Sequence, residues 1–304
     1  MPSFTSNDIP DLTDQIIIVT GGNAGLGLET IRQLGAHNPA RIYLAARSQE
    51  KAEAAIAELQ QQNPNICPLT FLKLDLASFE SVKAAAAEFT SKESRLDILV
   101  NNAGIMMTAP GLTEEGYELQ FGTNVMGPAL FTQLLLPTVR ETVKTNPQAR
   151  VVMLSSAGHS LAPNDVYKFD ELKTKAETRH TTARYTISKL ADIHYAKALS
   201  EREKEVKIIP VHPGMVATNL HHASTGFFLR PFLYVAGSLF ATSVEKGALA
   251  QIWTAVSPDA KSGQYYGPVA KEEAGSKLCQ DEKLQEEVFK WIQAELEGHV
   301  ETVA

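Results

Sequence analysis

The sequence predicts one α/β domain built on a doubly wound parallel sheet, with helices on both faces. Short apolar runs alternate with stretches of helical composition along much of the chain. Several of those runs are continuously apolar, as strands covered on both faces must be. A glycine-rich turn separates the first run from the first helical stretch.

The elements follow in order. Ile16–Val19 is a β-type run, and Gly25 to Leu34 reads as helical. Arg41–Ala45 is the second strand, followed by Gln49 to Gln61, rich in the helix formers Ala, Glu and Gln. Phe71–Leu74 is the third strand, Ser78 to Phe89 the third helix and Leu96–Val100 the fourth strand. Val151–Leu154 and Val206–Val211 supply two more strands, and Gln264–Tyr266 a last one. Repeated strand–helix–strand units imply right-handed crossovers. Residues 1–14 form an N-terminal arm and 15–304 a single domain, which suits a chain of 304 residues. Two segments fit the alternation poorly. They are read as an insertion, 157–184, and a substrate-side cap, 219–262. In the tail, Leu284, Val288, Trp291, Ile292 and Leu296 fall near helical spacing between Asp281 and Leu296. Packing on its own domain is favoured there over a dimer helix.

Composition narrows the classes of function. Apolar residues make up 44% and charged residues 21%, enough for a sizeable core. The net charge of −7 comes without a basic stripe, which argues against a nucleic-acid partner. Cys67 and Cys279 are far apart and outside any C-x-x-C pattern, so free thiols in a reducing, cytoplasmic setting are expected. The polar, acidic N-terminus has no secretory-signal pattern. The longest apolar stretch, Gly226 to Ala241, contains Arg230 and Pro231 and is too short for a membrane span. It reads as a lid or peripheral contact.

Thr20-Gly21-Gly22-Asn23-Ala24-Gly25-Leu26-Gly27 lies between the first strand and the first helix. Glycine is needed where the chain turns tightly and a pyrophosphate must approach the backbone. The helix start then offers free N–H groups and a positive dipole end. Arg47 stands just after the second strand, 20 residues beyond Gly27. An acidic residue there would accept hydrogen bonds from a free ribose 2′-hydroxyl, whereas an arginine pairs with a 2′-phosphate. Arg47 therefore favours NADP(H).

Tyr185 and Lys189 are four residues apart and share a face if helical. A free phenol ionises near pH 10, too high for easy proton exchange at neutral pH, and a neighbouring ammonium favours the phenolate. Alone, the Y-x-x-x-K pattern is weak. Its weight comes from the motifs around it. Val151-Val152-Met153-Leu154-Ser155-Ser156 is a strand ending in two serines, where ligands bind in doubly wound sheets. Asn101-Asn102-Ala103-Gly104 closes the fourth strand, Asn124 precedes Gly127 in a helical stretch, and Pro213-Gly214-Met215-Val216-Ala217-Thr218 follows the sixth strand.

Over about residues 14–220 these motifs, in this order, resemble the classical short-chain dehydrogenase/reductase family. The glycine turn has that family's T-G-x-x-x-G-x-G form. The resemblance implies a Rossmann-type fold, a nicotinamide cofactor and a role for each matching residue. Tyr185 would exchange the proton, and Lys189 would bind the nicotinamide ribose and ease ionisation of Tyr185. Ser156 would hydrogen-bond the substrate oxygen, with Ser155 as the other choice. Asn124 would hold a water in a relay from Lys189. Gly21, Asn23, Gly25, Leu26 and Gly27 would cradle the phosphates. Asp75 and Leu76 would flank the adenine, and Asn102, Ala103 and Gly104 would support the cofactor. Val216 and Thr218 would reach the nicotinamide end. Relatives that pair through the helices carrying Asn124 and Tyr185 make a homodimer one expectation, though the insertion before Tyr185 can block it.

One departure stands out. Ser156 and Tyr185 are 29 residues apart, where many family members have a much shorter gap. The long gap and the Ser262-Gly263-Gln264-Tyr265-Tyr266 segment resemble the retinol dehydrogenase and protochlorophyllide reductase branch. His159, His180, His212, His221 and His222 lack a carboxylate cluster at ligand spacing, so no metal is expected. Phe227, Phe228, Phe232, Leu233, Tyr234 and Leu239 suggest an apolar cap over a hydrophobic small molecule. The leading expectation is NADP(H)-dependent carbonyl/alcohol interconversion. Reduction of a carbon–carbon double bond and a cofactor-binding regulator with little turnover are the alternatives.

Overall fold

The computed structural model describes residues 4–216 and 242–303. The strands are β1 (Ile16–Thr20), β2 (Arg41–Ala46), β3 (Leu69–Lys73), β4 (Ile98–Asn101), β5 (Arg150–Leu154), β6 (Lys207–Val211), β7 (Tyr266–Gly267) and β8 (Lys271–Glu272). They form one sheet in the order β3-β2-β1-β4-β5-β6-β7-β8. Every neighbouring pair is parallel except β7–β8. The chain winds outward in both directions from the β1–β4 boundary, which places a crevice at the carboxyl ends of those strands.

The long helices are α1 (Gly25–Gly35), α2 (Gln49–Gln62), α3 (Phe79–Lys92), α4 (Gly127–Val143), α5 (Thr181–Arg202), α6 (Val244–Val256) and α7 (Glu282–Leu296). Alternate residues of β1 feed opposite layers. Ile17 and Val19 join a core with Ile31 and Leu34 of α1 and Ile252 of α6. Ile16 and Ile18 join the other core with Phe89 of α3, Leu135 of α4, Tyr195 of α5 and Phe289 of α7. Both faces are thus dry, as the continuous apolar runs require.

The differences from the sequence expectation lie at boundaries and in long connections. The last parallel strand is Tyr266–Gly267, shifted from Gln264–Tyr266, because Gln264 N–H closes a turn onto the Lys261 carbonyl instead of joining the ladder. Ser78 and Asp281 are not helical but cap α3 and α7, accepting from backbone N–H groups there. The helical stretch expected around Asn124 has no bounds in the sequence; α4 runs 17 residues from Gly127, with Pro128 in its first turn and Pro137 inside it. Of the expected cap 219–262, residues 219–241 lie outside the described residues. Val244–Val256 is a helix of the sheet layer itself, packed on α1 and β5. The insertion 157–184 carries a 3₁₀ turn (Ala157–Leu161), a short helical turn (Phe169–Leu172) and the start of α5.

The tail helix α7 packs along α5 of the same chain. Its Trp291 stacks on Phe169 of the insertion at 5.2 Å between ring centroids. It also meets Tyr117 and Phe121 edge-on. No helix among the described residues is long and apolar enough to cross a membrane.

Candidate active site

At the end of β1 the chain turns sharply at Gly21, whose φ of 65° is a left-handed value that favours glycine. Gly21 N–H donates to the Ala45 carbonyl at 2.8 Å. Within the first turn of α1, Gly27 lies over that bend. A Cβ on Gly27 would run into the Gly21 carbonyl oxygen and come within 2.6 Å of Asn102 Nδ2. Ala24 at the N-cap makes no side-chain cap bond, so the N-terminal N–H groups of α1, at the carboxyl end of β1, are not capped by it. The Asn102 amide donates to the Thr20 carbonyl at 2.8 Å, and Ala103 N–H donates to the Thr20 hydroxyl at 2.9 Å. Gln251 of α6 donates to Thr30 and to the Asn102 side-chain oxygen. The turn, β4 and α6 are therefore one rigid unit.

Other expected contacts line the same edge. Arg47 follows β2, is exposed, and makes no side-chain hydrogen bond or ion pair with any described residue. Asp75 and Leu76 follow β3; the Asp75 carboxylate accepts from Ala77 N–H, and Leu76 packs in the core. Val216 forms an isolated bridge with Thr242. Its side chain meets the Gly247 position of α6, as does Leu26, so Gly247 leaves room for both. Sequence reasoning missed Gly247 and Gln251, which lie far along the chain from the turn they brace. Thr218 and the aromatic run from Phe227 lie outside the described residues, as do His221 and His222.

The two serines at the end of β5 part ways. Ser155 is buried and its hydroxyl donates to the Lys189 carbonyl at 2.6 Å. Ser156 is half-buried and accepts from Gly158 N–H at 3.0 Å, which leaves its hydroxyl proton and remaining lone pair toward the crevice. A side chain at Gly158 would stand 3.2 Å from Ser156 Oγ and 3.7 Å from Tyr185 Cε1, so glycine there keeps the serine and the phenol ring together. His159 fixes this turn from behind. Ser276 N–H donates to its Nε2 at 3.2 Å, so Nδ1 carries the proton and donates to the Ser156 carbonyl at 2.8 Å. Burial holds the His159 imidazole below its usual range, consistent with that neutral form.

Tyr185 and Lys189 sit on the first turns of α5. The Lys189 ammonium is almost fully buried and donates to the Leu154 carbonyl at 2.9 Å and to Asp192 Oδ2 at 2.8 Å. Burial opposes its charge, but Asp192 and Tyr185 outweigh that and hold the ammonium above its usual range. The Asp192 carboxyl is pushed up to about 6 by burial, against the pull of Lys189. Asn124 lies in a π-helical turn, Gly122–Met126, a distortion common at functional sites. Its side chain accepts from Ile105 N–H at 2.8 Å and donates to the Ile105 carbonyl and to the Ser188 hydroxyl. Gly104 lies between Asn124 and Lys189; a Cβ there would be 3.2 Å from Asn124 Oδ1 and 3.5 Å from Lys189 Nζ.

The start of α5 is clamped to the loop after β4. Buried Arg184 pairs with buried Glu118 at 3.0 Å and donates to the Thr108 carbonyl at 3.0 Å. Gln120 accepts from Met107 N–H and donates to the Thr181 carbonyl. This packs Met106 and Met107 against the Tyr185 ring as a small apolar cluster. Among the described residues, no group of three or more His, Cys, Asp or Glu is placed to hold a metal ion.

A doubly wound sheet with a glycine turn at its switch point, and a phenol, an ammonium and a free serine hydroxyl beside it, defines a nicotinamide-binding oxidoreductase. The family model described as short chain dehydrogenase matches residues 15–167. A short-chain dehydrogenase/reductase of Armillaria gallica is 38% identical, covering 98% of this chain and 95% of that one. Mouse retinol dehydrogenase 12 is 35% identical over 83% of this chain and 77% of its own length. The crystal structure of an uncharacterised protein from Mycobacterium paratuberculosis superposes with a TM-score of 0.70 at 25% identity, covering 94% of this chain and 97% of that one. The chain belongs to the short-chain dehydrogenase/reductase family, with the layout of its retinol dehydrogenase-like branch.

Proposed function

We propose that this chain interconverts a carbonyl and an alcohol on a hydrophobic small molecule, dependent on NADP(H), with Tyr185 as general acid/base. The observation that carries the reading is the division of labour at the end of β5. Ser155 is tied to the Lys189 carbonyl, while Ser156 keeps its hydroxyl beside the Tyr185 ring. Two hydroxyls on one side of the crevice suit a substrate oxygen that gains or loses charge.

The chain's residues fit a nicotinamide cofactor: Gly22 and Gly27 have no space for a Cβ, Gly21 is left-handed and tightly packed, and Ala24 offers no side-chain cap to α1. When bound, such a cofactor supplies or accepts hydride. Gly21, Asn23, Gly25, Leu26 and Gly27 hold its phosphates in this reading. Asp75 and Leu76 flank its base, and Asn102, Ala103, Gly104, Lys189, Val216 and Thr218 hold its nicotinamide half. Arg47, exposed and without an ion-pair partner among the described residues, answers a 2′-phosphate, which favours NADP(H).

Ser156 and Tyr185 orient the substrate oxygen, and Tyr185 gives its proton to that oxygen during reduction or takes one during oxidation. Lys189 stabilises the phenolate so formed, and Asn124 holds the water through which the proton is replenished. The Met106–Met107 cluster against Tyr185, with Met215 63% exposed at the same edge, supports an apolar substrate. Both cysteines are free and buried, in keeping with a reducing cytoplasmic setting. In this reading a homodimer is one expectation, and the packing of α7 along α5 of the same chain favours a surface away from that side of α5.

The test is oxidation of NADPH, and separately of NADH, against a panel of apolar ketones and aldehydes, with Tyr185→Phe as control. Turnover with NADPH that the substitution abolishes is expected. Tight NADPH binding with no turnover on any carbonyl would sink the reading and favour a regulator. Turnover only on conjugated double bonds would favour the alternative reductase.

A further inference from the structure

Resting on that reading of Tyr185 and Lys189, we infer that Asp192 is a charge-setting and positioning residue for the pair. Its carboxylate pins the Lys189 ammonium against the Leu154 carbonyl and offsets part of the positive field that reaches Tyr185.

The geometry is specific. Asp192 lies three residues after Lys189 on α5, is 1% exposed, and places Oδ2 2.8 Å from Lys189 Nζ. Its other oxygen, Oδ1, is buried and has no hydrogen-bond partner among the described residues. A carboxylate left half-satisfied in the core is a poor device for stability, since desolvation of a buried ion pair commonly cancels its attraction. An asparagine would fill the same volume and still accept from Lys189. The charge itself is therefore the feature to explain.

The remaining groups around the pair do not duplicate it. On α5 the titratable neighbours are Tyr185 and His194. From the insertion, Tyr167 approaches Asp192, but burial keeps that phenol protonated, and it donates to His194 Nδ1 at 2.8 Å. Cys279, which lies near Tyr167, is buried and held as a thiol. Among the described residues, β5 contributes the Leu154 carbonyl and the Ser155 hydroxyl, and the π turn contributes the Asn124 amide. Asp192 is thus the one carboxylate among the described residues in contact with the Lys189 ammonium. As Tyr185 ionises, its own charge helps Lys189 keep its proton, and with Asp192 neutralised the ammonium field then acts on the phenolate unopposed.

The experiment is an ultraviolet titration of tyrosinate in cofactor-free protein. Subtracting the Tyr185→Phe trace from the parent isolates one phenol. The same subtraction is made in the Asp192→Asn background. The midpoint is expected to fall by about one pH unit with Asn, a tenfold rise in the phenolate-to-phenol ratio at a given pH. The pH limb of alcohol oxidation is expected to move by the same amount. Asp192→Glu, which keeps the charge, is expected to stay near the parent. Asp192→Ser carries the same expectation as Asn should the amide variant not fold. An unchanged or higher midpoint, or equal shifts with Asn and Glu, overturns the inference. If Tyr185→Phe abolishes turnover while the midpoint stays put, the inference alone falls. If Tyr185→Phe is as active as the parent, the reading of the site falls and the inference with it.

Discussion

The two halves of the crevice are held in place by different physics. On the β1–β3 side, the Gly21–Gly27 turn is set by shape: backbone packs on backbone, and a single added methyl has nowhere to go. On the β4–β6 side, side chains are set by buried polar contacts. Asn124 grips Ile105 at both backbone groups, Arg184 pairs with Glu118, and Lys189 pairs with Asp192. The first half suits a ligand whose shape never varies. The second suits a reaction in which charge must move, because buried polar groups respond strongly to it. Binding and chemistry should therefore fail separately when each half is damaged.

The largest test is Tyr185→Phe. It is expected to lower turnover about a thousandfold while leaving cofactor affinity within about twofold. Loss of both together would break the division. Next comes acid stability on the polar side. His194 accepts from the Tyr167 hydroxyl and donates through Nε2 to the Leu278 carbonyl, so it is neutral and fully satisfied. Burial pulls its pKa from 6.5 down to about 4. The unfolded chain thus takes up the proton first, and this stability is present above about pH 6.5 and lost as pH falls toward 4. Denaturant titrations of the parent and His194→Gln isolate the imidazole, since both carry Asp192. The parent's advantage is expected to shrink by about 3 kcal/mol across that window. A constant gap would show that the imidazole is not the acid-sensitive group.

Gly27→Ala probes the shape-determined half. Overpacking there is expected to cost about 2 kcal/mol, read as about thirtyfold weaker cofactor binding, with the substrate KM at saturating cofactor little changed. The smallest effect is at the rim. Arg47→Asp is expected to weaken NADPH binding about tenfold and to move preference toward NADH. An unaltered NADPH affinity would remove Arg47 from the cofactor site.

The shape-determined half was the more legible in sequence. A strand, a glycine turn and a helix are local, so Ile16 to Leu34 could be read directly, and Arg47 follows one strand later. The Tyr185–Lys189 spacing was legible for the same reason. What Lys189 touches was not, although Asp192 at i+3 within a mostly apolar stretch was a usable signal. The resemblance favours Ser156 over Ser155, but the physical difference lies in a carbonyl 34 residues beyond Ser155, which no local pattern carries. Gln251 and Gly247 brace the turn from more than 200 residues away, a contact that only the folded sheet creates. The helix Gly127–Val143 was obscured by its two prolines, which its first turn and tertiary packing accommodate.

The stack of Phe169 on Trp291 ties the insertion before Tyr185 to the last helix of the chain. Lys173 and Tyr117 add to that seam by bonding to Glu295 of the same helix. The two segments therefore travel as one module. Transplanting 157–184 into a relative to exchange selectivity requires carrying the C-terminal helix along with it. A truncation that stops short of Trp291 would be felt at the mouth of the crevice rather than at the tail.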